Sequence, residues 1–465
     1  MTLWTAAEAA RATGGTTNTD WTASGVSIDS RSLQPGDLFV ALNAARDGHE
    51  FVADALAKGA CAALVSRTPP GVSCDAPLLT VADVQQGLED LGRAARARTS
   101  AKVVAITGSA GKTSTKEMLR EMLAPQGATH ASVASYNNHW GVPLTLARMA
   151  RDMDFAVIEI GMNHPGEIAP LALQTRPDVA VVTTVAEAHL EAFHDVAEIA
   201  REKASLMGGL HADGIAVLNA EIETAGVLEH EASKYGCKAL WFGTASSDAQ
   251  LLNLEQTGNA TSAEVLISGQ KYKMHLKTIG RHFAINALAA LLAVQSIGAD
   301  LRQALKALEM WQPGLGRGAR EKIRLADGTL DLIDDAYNAN PASMRAALDM
   351  ISVSSAPRRI AFLGDMKELG VNEVDQHRAL AQWPALSTLD QIHTVGPLMQ
   401  ALHTALPRKM RGMHFTSSAE MAKASEDLIK PDDCVLVKAS LSMGLQQVVD
   451  VLRKLGHSEP SADNR

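Results

Sequence analysis

The chain has 465 residues, 46% of them hydrophobic, which suits about three globular domains and excludes a disordered or fibrous polymer. Its 43 Lys and Arg against 52 Asp and Glu leave a net charge of −9, so a broad polyanion-binding surface is excluded and nucleic acid is not an expected partner. No apolar run approaches the roughly 20 residues of a membrane span, and Glu8, Arg11 and Asp20 precede any stretch long enough for a signal peptide, so no membrane partner and a cytoplasmic location are expected.

Taken in chain order, residues 37–42 and 62–65 read as short strands around a helical segment from about 50 to 58. An Arg/Ala-rich helix then closes a small α/β domain over 1–100. From 101 to 312 apolar strands at 103–106, 155–160, 179–185 and 215–218 alternate with helical stretches, the pattern of a mostly parallel sheet with helices on both faces. After P-G-L-G-R-G at 313–318 the alternation restarts, with strands at 330–333, 360–363, 392–395 and 435–437, giving a third, Rossmann-like α/β domain over 313–465 whose last residues fray. Cys61, Cys74, Cys237 and Cys434 form no C-x-x-C pair and read as buried free thiols.

The first strand of the middle domain runs into T-G-S-A-G-K-T-S-T-K at 107–116. Gly108 and Gly111 permit a tight turn, and the backbone N–H groups around Ser109, Ala110 and Ser114 then aim at phosphates. Lys112 brings a point charge, and the Thr113 hydroxyl suits a phosphate-bound Mg2+. Ile106 stands where the general phosphate-loop pattern has its first glycine, so the loop is a variant. Glu159 is the one charge in the apolar strand 155–160 and needs a cation, either a Mg2+ shared with the loop or a neighbouring Arg or Lys. His189 follows the next buried strand and reads as an ordinary hydrogen-bonded side chain or as a metal or substrate contact. Asn137 and Asn138 sit on a loop that suits a polar substrate or a simple turn. The cluster Asp334, Asp335, Tyr337, Asn338 and Asn340 and the segment G-D-M-K-E-L-G at 364–370 end two strands of the third domain and are expected to face one cleft.

Together these stretches resemble the Mur ligase family over essentially the whole chain. Its carriers are S-I-D-S-R-S-L-Q-P-G-D-L-F-V-A-L at 27–42, the loop at 107–113, Y-N-N-H-W-G-V-P-L-T-L at 136–146, I-E-I-G-M-N-H-P-G-E-I at 158–168 and A-H-L-E-A-F at 188–193. To these are added G-R-H-F-A-I-N-A-L-A-A at 280–290, D-D-A-Y-N-A-N-P-A-S-M at 334–344 and L-G-D-M-K-E-L-G at 363–370. The resemblance implies a monomeric ATP-dependent amide ligase using two Mg2+ ions, acting on the small molecules UDP-N-acetylmuramoyl-tripeptide and D-alanyl-D-alanine. It implies that Ser30 and Arg31 grip the UDP part, that Thr113 and Glu159 hold the first Mg2+, and that His189 stands near the second. Asn286 matches an adenine contact, Arg317 a phosphate contact and Asp335 a ribose or hinge contact. Lys203 matches a lysine that such ligases carry as a carbamate, an anion able to help hold Mg2+; by itself it reads as a solvated helical lysine beside Glu202. The chain departs from the family pattern at Phe283, usually Asn, at Leu441, usually Arg, and in the shortened stretch 43–49. A different ligase of the superfamily, an ATP-driven switch and a small-molecule kinase remain as rival readings.

Overall fold

The computed structural model of the chain describes residues 2–73, 75–133, 135–245 and 247–458; Cys74 and the tail expected to fray lie outside them. Among the described residues the strands form a two-stranded ribbon and sheets of five, nine and seven strands, in keeping with the α/β class read from the sequence. No described helix is long and apolar enough to cross a membrane. Cys61, Cys237 and Cys434 are free, Cys434 is fully buried, and desolvation pushes its thiol up to about 12.

In the first unit Asp37–Val40, Ala62–Val65 and Leu78–Thr80 run parallel, and the all-apolar Ala62–Val65 is buried on both faces at the sheet's centre. Asp83 caps the helix Val84–Ala97 by accepting from Gln86 N–H, and the helix turns Leu88, Leu91 and Ala95 inward. Leu144 and Ala147 of the helix Gly141–Ala147 belong to that same apolar cluster, so the first unit is joined to the second through a shared core.

The second sheet is built around the strand Lys102–Thr107. The chain leaves it to place Thr129–Ala131 and Phe155–Glu159 on one side, then returns to add Val179–Val182 and Ile215–Asn219 on the other. The loop after Lys102–Thr107 therefore opens at the point where strand order reverses, where ligands bind in open parallel sheets. The sequence pattern did not reveal that the sheet ends in an antiparallel meander, Ala249–Thr257, Ala260–Ile267 and Gln270–Leu276. One face of the sheet is covered by Arg281–Ser296, which is buried all round from Phe283 to Val294.

In the third sheet Gly328–Asp335, Arg358–Gly364, Gln391–Val395, Arg411–Phe415 and Asp433–Lys438 are parallel, with Asp433–Lys438 inserted between the first two. Ala319–Leu325, which carries no strong apolar run, joins as an antiparallel neighbour of Gly328–Asp335. A single apolar cluster runs from Val104 and Met118 through Leu288 and Trp311 to Leu348 and Leu436, so the second and third units share a core at their junction.

Candidate active site

The phosphate-type loop spans the end of Lys102–Thr107 and the start of the helix Lys112–Leu123. Gly108 and Gly111 hold φ of 153° and 83°, and both positions are crowded: a Cβ on Gly108 would lie 1.9 Å from Thr183 Oγ1, and one on Gly111 would lie 2.7 Å from Asn286 Oδ1. Thr183 Oγ1 donates to the Ala110 carbonyl at 2.6 Å, and Ser109 is held by Ala186 on both sides of its hydroxyl, which fixes the loop before any ligand arrives. Asn286, 8% exposed, thus lies directly against the loop. Ser114 sits half-buried in the helix's first turn.

Glu159 ends its strand at 1% exposure, beside the loop. Its carboxylate accepts from the Thr113 hydroxyl at 2.9 Å and from the Asn137 amide at 2.8 Å, with Lys116 Nζ at 3.9 Å. Both cation readings thus have a structural counterpart: a hard-oxygen pair with Thr113 and a buried lysine close by. Lys116, one turn beyond Thr113 on the same helix face, also donates to the Ser132 carbonyl, and Ser132 Oγ accepts from Glu159 N–H. The sequence reading gave Lys116 no role; its i+3 spacing from Thr113 was the available signal.

Positive charge converges on the loop. Lys112 Nζ donates to the Gly108 carbonyl at 2.7 Å; desolvation pushes its pKa down, Glu159 opposes this and Arg317 adds to it. Lys203, at 2% exposure, is pushed well below the ordinary lysine value by desolvation and then by Lys112, so the solvated-lysine reading is overturned. Arg317 stacks on Tyr337 with its guanidinium carbon 4.0 Å from the ring centroid and donates to Ser135 Oγ at 2.6 Å, bringing the third unit onto the second. Lys112 and Arg317 at a helix N-terminus form a site for an anion with several charges.

The third unit reaches the loop directly as well. Asn340 Nδ2 donates to the Ser109 carbonyl at 3.1 Å, while Asn340 Oδ1 caps the helix Pro341–Ser352. The clusters at 334–341 and 364–370 do meet: Ser440 Oγ accepts from Lys367 N–H at 2.9 Å and donates to the Ala339 carbonyl at 3.3 Å. Lys438 Nζ donates to Asp335 Oδ2 at 2.7 Å and to the Asn338 carbonyl at 2.9 Å; desolvation raises the Asp335 pKa against that lysine.

Other residues singled out in the sequence have mostly local partners. Asn138 Oδ1 accepts from Trp140 and Gly141 N–H, at the start of the helix Gly141–Ala147, and Asn338 Oδ1 accepts from Ala339 N–H. Arg31 forms a forked pair with Asp29 on the exposed loop of the first unit; the neighbouring Ser30 carbonyl accepts from Lys58 Nζ. His189, at φ 60°, turns Nδ1 to Glu368 Oε2 at 2.6 Å. Phe283 is 2% exposed, tilted against His282 and edge-on to Trp311 at 5.3 Å, while Leu441 is 61% exposed.

Three family models match this chain: Mur ligase family, catalytic domain at 22–99, Mur ligase middle domain at 106–294, and Mur ligase, glutamate ligase domain at 320–441. A UDP-N-acetylmuramoyl-tripeptide--D-alanyl-D-alanine ligase from Escherichia coli (strain K12) is 36% identical over 94% of this chain and 95% of its own. The chain belongs to the Mur ligase family. A second Mur ligase of the same name, from Rickettsia prowazekii, is 31% identical over 91% of this chain and 94% of its own. Among solved Mur ligases, MurF from Acinetobacter baumannii superposes with a TM-score of 0.85 at 29% identity over 97% of this chain and 98% of that one. MurF ligase from Thermotoga maritima in complex with ADP gives 0.79 at 27% identity, over 93% and 97%. As a Mur ligase the chain is an ATP-using enzyme, which accounts for a polyanion site walled by residues of the second and third sheets.

Proposed function

We propose that the chain joins D-alanyl-D-alanine to UDP-N-acetylmuramoyl-tripeptide at the expense of ATP. The observation that carries this reading is the junction of the phosphate-type loop with Arg317 and Asn340 of the third unit, in a chain whose full-length relatives at over 30% identity bear that ligase name. A switch needs no such second wall, and a kinase would leave phosphate on its product.

A carboxylate is a poor acyl donor, so the tripeptide's terminal carboxylate oxygen attacks the γ-phosphorus and ADP leaves. The amine of the dipeptide then attacks the acyl carbon, the C–N bond forms, phosphate departs and the amine gives up a proton. Lys112 and Arg317 offset charge on the transferring phosphoryl group, and Asn286 borders the base side of the loop. This is chiefly positioning and electrostatic work, with no protein nucleophile.

The donor set fits Mg2+: Thr113 and Glu159 offer a hydroxyl and a buried carboxylate, and a carbamate on the desolvated Lys203 would supply a second anionic oxygen pair. When bound, the metal supplies charge neutralisation at the phosphates. A lysine amine kept neutral by burial is the form that reacts with CO2, so protein equilibrated with 13C-bicarbonate should show a carbamate carbonyl resonance that Lys203→Met removes. An unchanged spectrum would remove Lys203 from this role.

The division of labour is part of the same proposal. Residues 1–100, with Ser30 and Arg31, hold the uridine end, 101–312 hold ATP, and 313–465 close over both with Asp335, Tyr337 and Asn338 towards the acceptors. The chain is taken to act as a monomer in the cytoplasm. With ATP and both acceptors, the enzyme should release phosphate only when both are present, and Lys112→Ala should abolish that release. Undiminished turnover in this variant would sink the assignment.

A further inference from the structure

Away from the phosphate loop, a second contact links the middle and third units. His189 follows the strand Val179–Val182 and Glu368 follows Arg358–Gly364; their side chains meet, Nδ1 to Oε2, at 2.6 Å. Both residues occupy the left-handed region, His189 at φ 60° and Glu368 at φ 65°. That conformation is uncommon for residues other than glycine and carries strain, so the surrounding chain must enforce it. It does so on both sides. Ala192 N–H donates to the His189 carbonyl at 2.9 Å, closing a turn, and the chain at Gly370 passes so near Leu190 that a Cβ there would lie 3.1 Å from its carbonyl oxygen. A second stitch lies beside the first, with Gln376 Nε2 donating to Glu187 Oε1 at 2.8 Å. A cleft of 640 Å³ lined by Leu190, Glu191, His194 and Val371 opens next to it.

An exposed ion pair of this kind contributes little to stability, and Glu368 is 53% exposed, so stability does not explain two strained residues aimed at each other. An imidazole whose Nδ1–H is held by a carboxylate has its tautomer and direction set, leaving Nε2 as a lone-pair donor to whatever lies beyond.

We propose that Glu368 is a positioning residue for the ligase reaction: its carboxylate, delivered by the third unit, engages His189 Nδ1 and fixes the tautomer and direction of the imidazole, and Gln376–Glu187 holds the two loops in register. The inference rests on the ligase reading above and adds to it a carboxylate that the third unit supplies to a histidine of the second.

The test uses the full-length enzyme with the tripeptide substrate and the dipeptide, with ATP for turnover and a non-hydrolysable ATP analogue for scattering. Glu368→Ala should lower kcat on the order of 10-fold, as loss of a carboxylate behind an orienting histidine does, with the KM for ATP and the thermal midpoint unchanged. Glu368→Gln keeps an oxygen that can accept the same hydrogen bond and should recover most of kcat. In small-angle scattering with the analogue bound, Glu368→Ala combined with Gln376→Ala should show a larger radius of gyration than the wild type. Wild-type kcat in Glu368→Ala, an equal loss in Glu368→Gln, or a wild-type radius of gyration in the double variant would each overturn the inference while wild-type ligation stands. If the wild type forms no amide from these substrates, the functional reading itself fails instead.

Discussion

His393 is 1% exposed, stacked on Phe362 at 5.0 Å, with Nδ1 accepting from Met413 N–H and Nε2 buried without a partner among the described residues. Burial, then Arg358 and His403, lower its pKa to about 4, from an ordinary histidine value of 6.5. The unfolded chain therefore binds the extra proton first. Stability from this group is complete above about pH 6.5 and is lost as pH falls toward about 4, by about 3 kcal/mol at most. His393→Phe should flatten the acid limb of a denaturation profile over that window; a limb unchanged in slope would contradict this. Burial also decides the meaning of Lys203. Its sequence neighbours, Glu202 and Arg201, suggest a wet helix surface, and only the packing of Val196–Ala204 against the sheet removes it from water.

At the scale of elements, the helix Pro341–Ser352 shows how one side chain does two jobs. Asn340 caps it in a capping box with Ser343, a role legible from Asn-Pro before an apolar run, but its other amide atom holds Ser109. Asn340→Asp retains the cap acceptor and gives up that donor while putting a negative charge beside the phosphate loop. It should leave the thermal midpoint near wild type yet raise the KM for ATP several-fold, roughly the effect of one lost hydrogen bond of 1 kcal/mol. Asn340→Ala should also cost about 1 kcal/mol of stability, measured by urea denaturation. Asn137 and Asn138, two amides on one loop, differ in their partners: one holds Glu159 and the other starts a helix.

Across the whole molecule, the Mur ligase units are not loosely tethered. Phe283 packs edge-on to Trp311, and a Cβ on Gly318 would lie 3.1 Å from its ring. An apolar ring at the junction thus gives the second and third units shared buried area. Phe283→Ala should lower stability by about 3 kcal/mol or more. It should also split one calorimetric transition into two, because the shared core is what makes the units melt together. A single transition at an unchanged midpoint would show that the ring does not couple them. The strands that sequence patterning found, such as Ala62–Val65 and Asp433–Lys438, are those buried on both faces; the Ala249–Thr257 meander and Ala319–Leu325 were missed because their strands alternate buried residues with polar or charged ones that face water.

Composition, strand alternation and motif spacing were sufficient by themselves for the α/β class, a phosphate-type loop from Gly108 to Thr113 and a lone buried carboxylate at Glu159, because each depends on residues close in the chain, while the Mur ligase family was reached through the resemblance of motifs along the whole chain. Tertiary structure alone decided which side chains share a charge field or a hydrogen bond across units. Lys116 beneath Glu159, Lys203 beside Lys112, Arg317 on Ser135, Asn340 on Ser109 and Glu368 on His189 are pairings of this kind. Desolvation and cross-domain contact depend on how the sheets and helices pack, and local pattern records neither.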